Sequence, residues 1–298
     1  MKNLARRILL KTAHNLEVLS KQMRGAADKV IPEKRLFLDE CESRNWAMVR
    51  PGFVLSTGRS GTLLLTNVLE LAERCAPHHE PRPELYRPSR LAYERIQAEP
   101  GLFREVLKSA REEYLLAAAR REQVYVETNN QITFFAPIIR DIFPRAVFLH
   151  LIRHPGGFVR SGIRRRWYTG EHSHDIGRIV PMGGTAREQW EKWSLIEKNG
   201  WLWNETNRFI EAFKETLPDD AVLTVKAEEF FTDPAVSLAI ADFLEVGPLE
   251  TRRVEAVLRK PANVQKKGTF PPYRDWSDTD KARLKAVAPL AEHYGYAL

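Results

Sequence analysis

The sequence predicts an α/β fold, a three-layer domain built on a central, mainly parallel sheet, and two observations carry that expectation. Five short runs are almost continuously apolar, as strands covered on both faces are, and helical patterns separate them. The first run also ends in a glycine-rich turn that leads straight into a helix. The predicted strands are 53–56, about 74–79, 124–128 (VYVET), 146–152 (AVFLHLI) and 221–227 (AVLTVKA). Between them lie helical patterns at 60–73, 102–121, 131–142, 155–166 and 185–216, then tail helices at about 233–244, 249–259 and 278–293. Strand–helix alternation of this kind favours right-handed crossovers and one parallel sheet. Proline, glycine and charge cluster at 77–90 and 168–185, the lengths and compositions of functional loops.

Residues 1–50 read as a helical, charged lead-in, and residues 51–298 as one domain with no linker inside it. The chain has 298 residues with 43% hydrophobic content, enough for a sizeable core. No apolar run approaches the length of a membrane span. The start, MKNLARRILLKTAHNLEVLSKQM, is basic, but Ile8, Leu9 and Leu10 form too short an apolar stretch for a secretory leader. Leu4, Ile8, Leu16, Leu19 and Met23 fall on one helical face, suited to packing on the domain or a partner, or to an anionic membrane surface. Cys41 and Cys75, with no CxxC, fit a reducing, cytoplasmic setting rather than a disulfide framework. A net charge of +7 argues for an acidic ligand or surface. No signature of a nucleic-acid-binding module is present, so a nucleic-acid partner is not expected.

The first loop is STGRSGT, residues 56–62. A Walker A loop needs G-x-x-x-x-G-K-[ST], with lysine on the phosphates and a hydroxyl on magnesium. Here Gly58 and Gly61 are too close together, no lysine precedes Thr62, and Arg59 sits inside the turn. The backbone N–H groups of residues 59–63 still point at an anion from a helix N-terminus. The second loop follows strand 146–152, which ends at Arg153 where a Walker B strand would end in a metal-binding acid. Ser161 lies two turns into the next helix. Ligands of open α/β sheets sit at the carboxyl ends of strands, so Arg59 and Arg153 are expected in one crevice. Two anion sites and no metal machinery suit a ligand with two separate acidic groups.

This pair of loops resembles the sulfotransferase superfamily, whose donor is 3′-phosphoadenosine 5′-phosphosulfate. TGRSGT is similar to that family's 5′-phosphosulfate loop, and LIRHPGGFVRS to its 3′-phosphate element. YVETNNQITFFAPIIRDIFPRAVFLHLIRHP follows the family's cadence into the second loop, VLTVKAEEFFTDP resembles a recurrent late strand and turn, and KKGTF its basic-glycine segment. The likeness runs over about residues 51 to 295 and implies the P-loop-like sulfotransferase fold. It implies that Gly58, Arg59, Ser60, Gly61, Thr62 and Leu63 hold the phosphosulfate, Arg153 and Ser161 the 3′-phosphate, and that Lys267 and Gly268 complete the latter. The RSGT form looks like the glycan, tyrosyl-protein and bacterial members. One departure is Leu63, where the family often has a second threonine or serine. The implied reaction is sulfuryl transfer to an acceptor hydroxyl, of a carbohydrate or glycoconjugate, with the nucleotide as co-substrate and no metal.

The acceptor hydroxyl needs a base. The strand-2 exit, CAPHHEPRPEL, supplies His78, His79, Glu80 and Glu84. The resemblance favours Glu80, with His79 next because imidazole titrates near working pH, and Glu84 after it. Arg59 is expected to meet charge developing on the departing phosphate. EHSHD (His172, His174, Asp175) has metal-binding residue types but no further cluster to close a site. Arg164, Arg165 and Arg166 beside Trp167 and Tyr168 either grip an acidic acceptor or cap a solvated helix end. Trp190, Trp193, Trp201 and Trp203 have spacings that suit core packing. Two other readings compete: a P-loop kinase or NTPase relative, which the missing Walker residues oppose, and a non-catalytic nucleotide-binding homologue.

Overall fold

A computed structural model describes residues 11–13, 15–16, 18–20, 22–23, 49–171, 173–260 and 268–298. Five strands form one all-parallel sheet in the order β2-β3-β1-β4-β5. They are β1 (Gly52–Leu55), β2 (Cys75–His78), β3 (Val124–Glu127), β4 (Val147–Ile152) and β5 (Val222–Lys226). Each coincides with a predicted apolar run. β1 is central, with β2 and β3 on one side of it and β4 and β5 on the other, so the strand order reverses there and opens a crevice above its end. β4 pairs with β1 from Gly52↔Val147 to Leu55↔His150 and runs two residues further. Arg153 therefore stands above the turn that leaves β1.

Helices cover both faces. α1 (Thr62–Leu69) follows β1, α2 (Tyr86–Arg95) and α3 (Pro100–Arg120) follow β2, and α4 (Ala136–Ile142) follows β3 after a 3₁₀ segment, Asn130–Phe135. α5 (Pro155–Arg164) leaves β4, and α6 (Gly184–Gln189) and α7 (Leu195–Lys214) lead to β5. α8 (Ala227–Thr232), α9 (Pro234–Leu244), α10 (Thr251–Leu258), α11 (Asp278–Val287) and α12 (Leu290–His293) complete the chain. One apolar core, with Phe53, Phe148, Phe158 and Trp203, fills one side of the sheet. The other, with Val54, Leu65, Leu149 and Phe230, fills the opposite side.

Several boundaries differ from the sequence expectation. The run at 185–216 is not one helix: it breaks at Trp193, and Ser194 restarts it through a capping box with Glu197, whose carboxylate accepts from Ser194 N at 2.8 Å. The 233–244 pattern gains a preceding helix, divided from it by Asp233, which caps Ala235 N at 2.8 Å ahead of Pro234. Residues 278–293 break before Pro289, whose ring and missing N–H cannot continue a helix. α2 was not expected at all, because its exposed, arginine-rich turns and Pro88 carry little apolar periodicity.

Trp190, Trp201 and Trp203 are buried and Trp193 packs against them, as expected for core residues. Of the N-terminal stripe, Leu16, Leu19 and Met23 are exposed, and Leu4 and Ile8 lie outside the described residues. Cys41 also lies outside them, while Cys75 is buried and its thiol is pushed up to about 12 by that burial. Among the described residues no helix is long and apolar enough to cross a membrane.

Candidate active site

The turn after β1 winds through left-handed backbone at Gly58 (φ 77°), Arg59 (φ 57°) and Gly61 (φ 99°), then enters α1. Gly61 is required twice over: its φ is one side chains rarely adopt, and a Cβ there would lie 2.4 Å from the Phe231 ring. The turn and the N-terminus of α1 open onto a cavity of about 480 Å³. Arg59, Gly61, Thr62 and Leu63 line it from the β1 turn and α1, and Arg153, Arg160, Ser161, Arg164 and Arg165 line it from the end of β4 and α5. His79, Glu80, Asn130, Phe231 and Lys260 also line it.

Both predicted loops thus meet in one pocket, and they touch. Arg153 donates from Nη1 to the carbonyl oxygen of Arg59 at 2.8 Å. Ser161 Oγ accepts from Arg59 Nε at 3.3 Å and from Arg165 Nη1 at 2.8 Å. A hydroxyl that accepts twice keeps its own hydrogen for a ligand. Trp203, buried under the site, donates from Nε1 to Arg153 O at 2.8 Å and fixes the strand end.

Crowding leaves these cations electrostatically strained. Burial, then the charge of Arg153, lowers the pKa of Arg59, against a smaller opposing pull from Glu80. Burial, with Glu228 opposing and Arg160 assisting, lowers that of Arg153. Arg165 is brought down to about 10 by burial and then by Arg59, Arg164, Arg153 and Arg178. An anion among them would relieve both the desolvation and the repulsion.

The other predicted residues are distributed as follows. Gly58 and Ser60 do not line the cavity; Ser60 Oγ is buried with no partner, behind the turn. Gly268 accepts from Arg164 Nε at 2.9 Å and borders a separate, open depression; Lys267 lies outside the described residues. The arginine triplet divides: Arg164 and Arg165 face the cavity, whereas Arg166 is exposed and pairs with Glu171. Trp167 is buried and carries Arg178 on its face at 3.8 Å. His174 stacks on Tyr86 at 4.0 Å, Asp175 pairs with Arg178 at 2.7 Å, and His172 lies outside the described residues. Among the described residues no group of three His, Cys, Asp or Glu is placed to hold a metal ion.

Arg160, Arg165, Asn130 and Phe231 also line the cavity, beyond the residues expected from the sequence. The arginines were legible in principle, since Arg160/Arg164 and Ser161/Arg165 are i,i+4 pairs on α5. Asn130 and Phe231 reach the cavity only through tertiary packing.

A glycine turn after the central strand of an all-parallel sheet, with an arginine inside that turn and a second arginine at the neighbouring strand end, defines a P-loop-like α/β protein. Residues 51–247, about two thirds of the chain, match the model of the sulfotransferase family. The chain belongs to that family. Among solved structures it is similar to a sulfotransferase domain from a curacin biosynthetic pathway, with 14% identity, TM-score 0.50, and coverage of 84% of this chain and 99% of the other. It is also similar to the sulfotransferase domain of the Synechococcus PCC 7002 olefin synthase, with 19% identity, TM-score 0.48, and coverage of 84% and 97%. A sulfotransferase from Alicyclobacillus acidocaldarius shares 18% identity at TM-score 0.46, over 81% and 96%. No curated protein sequence gives a significant match.

Proposed function

We propose that this sulfotransferase moves the sulfuryl group of 3′-phosphoadenosine 5′-phosphosulfate to a hydroxyl of a carbohydrate or glycoconjugate. In this reading residues 51–298 are the transferase unit and residues 1–50 its lead-in. The observation that supports it most is the convergence of Arg59, Arg165 and Ser161 beside Arg153, with all three guanidinium pKa values depressed. Such a cluster favours a polyanion with charge at two separated points. Arg153, Ser161 and Arg165 take the 3′-phosphate. The α1 N-terminus and Arg59 take the phosphosulfate.

The donor supplies an activated sulfuryl group, and the chain supplies geometry and charge. Arg59 and the N–H groups of the turn stabilise negative charge as it gathers on the departing phosphate. Glu80, with left-handed backbone (φ 45°), faces the same cavity and is the base that takes the acceptor proton. Its charge also favours the protonated form of Arg59. The carbohydrate class is supported by the RSGT form of the turn, which resembles that of glycan sulfotransferases. The test is transfer of ³⁵S from labelled donor to a panel of methyl glycosides, phenols and tyrosyl peptides. Labelled glycosides support the proposal; label on phenols or peptides alone contradicts the acceptor class, and no label anywhere contradicts transfer.

A further inference from the structure

His79 and Glu80 are consecutive, both line the cavity, and the hydrogen-bond network decides what His79 offers there. Its Nδ1 lies 2.9 Å from the carbonyl oxygen of Thr128 and 3.1 Å from the Thr128 hydroxyl. A carbonyl oxygen only accepts, so Nδ1 carries the hydrogen in the neutral ring and Nε2 carries a lone pair. The anchor is itself fixed. Thr128 is fully buried, and its Oγ1 lies 2.5 Å from Thr66 Oγ1. Thr66 donates to Thr62 O at 3.0 Å, which leaves Thr128 to donate to Thr66. The chain of donors runs from His79 through Thr128 and Thr66 to the first turn of α1. The histidine ring is thereby held in register with the donor turn.

We infer that His79 is a specificity-determining residue: its Nε2 accepts a second hydroxyl of the acceptor, adjacent to the hydroxyl that gives its proton to Glu80. This rests on the transfer proposed above. Two neighbouring groups that only accept select an acceptor with two neighbouring O–H donors, a vicinal diol. A lone alcohol leaves Nε2 desolvated and unpaired, which costs affinity.

Two experiments test it. In ¹⁵N-labelled protein at about pH 8, where free imidazole is neutral, long-range ¹H–¹⁵N spectra read the His79 tautomer, assigned with His79→Asn. Protonated Nδ1 is expected; protonated Nε2 overturns the inference, whatever the turnover. Kinetics then compare methyl hexopyranosides with analogues lacking one ring hydroxyl each. For the wild type, loss of the hydroxyl adjacent to the sulfated one should lower kcat/KM about tenfold. In His79→Asn, whose amide still reaches Thr128 but offers nothing at the Nε2 position, that discrimination should vanish as acceptor KM rises. His79→Gln, whose amide oxygen reaches the Nε2 position, should restore part of it. Equal discrimination by wild type and His79→Asn overturns the inference while the proposed transfer stands. No transfer to any glycoside by the wild type overturns the carbohydrate reading, and this inference with it.

Discussion

Arg153 Nη1 reaches the backbone carbonyl of Arg59 at 2.8 Å, so the side chain that ends β4 holds the turn that ends β1. The turn after β1 and the end of β4 are one mechanical unit. Arg153 also lines the pocket that this turn opens onto.

Arg153→Ala should therefore weaken binding of 3′-phosphoadenosine 5′-phosphate by at least about 1.5 kcal/mol, the range of one charged hydrogen bond. It should also lower kcat, because the Arg59 turn is released. Arg153→Lys should recover little, since a point charge cannot hold both a carbonyl and an anion as a planar fork does. Calorimetry with the three proteins checks this; a lysine variant equal to wild type would remove the clamp.

Arg59→Ala should depress kcat about 10²–10³-fold, as loss of a donor to developing charge does. Arg59→Lys should keep part of the rate. Wild-type turnover in the alanine variant would show that the β1 turn does not meet the transition-state charge.

Glu80→Gln should bind donor product normally and lose roughly 10²–10⁴ in kcat, the contribution of a positioned base. His79→Asn should act mainly on acceptor KM. A dead His79→Asn beside an active Glu80→Gln would make histidine the base.

Stability should fall with acid through His150. This imidazole is fully buried between Asn207 at 2.9 Å and Glu211 at 3.6 Å, and burial, with Lys214 nearby, brings it down to about 4 from 6.5. The unfolded chain binds this proton more readily, so the stabilisation is complete above pH 6.5 and is lost as pH falls toward 4. The loss is on the order of 3 kcal/mol. Urea midpoints between pH 7.5 and 4.5 should slope less in His150→Gln than in wild type. Identical slopes would exclude His150 as the source.

Arg111 and Glu127 form a buried bidentate pair, at 2.8 and 2.9 Å, and Arg111 also donates to Pro83 O at 3.1 Å in the loop beyond Glu80. Arg111→Met should cost about 3–5 kcal/mol by leaving Glu127 buried and uncompensated. Arg111→Met with Glu127→Gln should recover much of that. Denaturant titration of both variants reads the difference.

β1, β3, β4 and β5 were legible as apolar runs, the signal a covered strand leaves, whereas β2, CAPH and only partly buried, carries little of it. Helix ends were less so. The Ser194–Glu197 capping box stood in the sequence, but the tryptophans around it continued the helical periodicity across the break. Arg59 and Arg153 were legible as strand-end residues because parallel topology alone brings strand ends together. The anchoring of His79 by Thr128 was not, since it joins residues 49 apart through neighbouring strands β2 and β3.

The proposed donor pocket recognises two phosphate-type groups at once. Titration of the wild-type protein with 3′-phosphoadenosine 5′-phosphate and with AMP, both with EDTA and then with magnesium, tests this recognition. The 3′-phosphorylated nucleotide should bind at least tenfold more tightly than AMP, with magnesium making no difference. Equal affinity for the two nucleotides, or binding that appears only with magnesium, would contradict it.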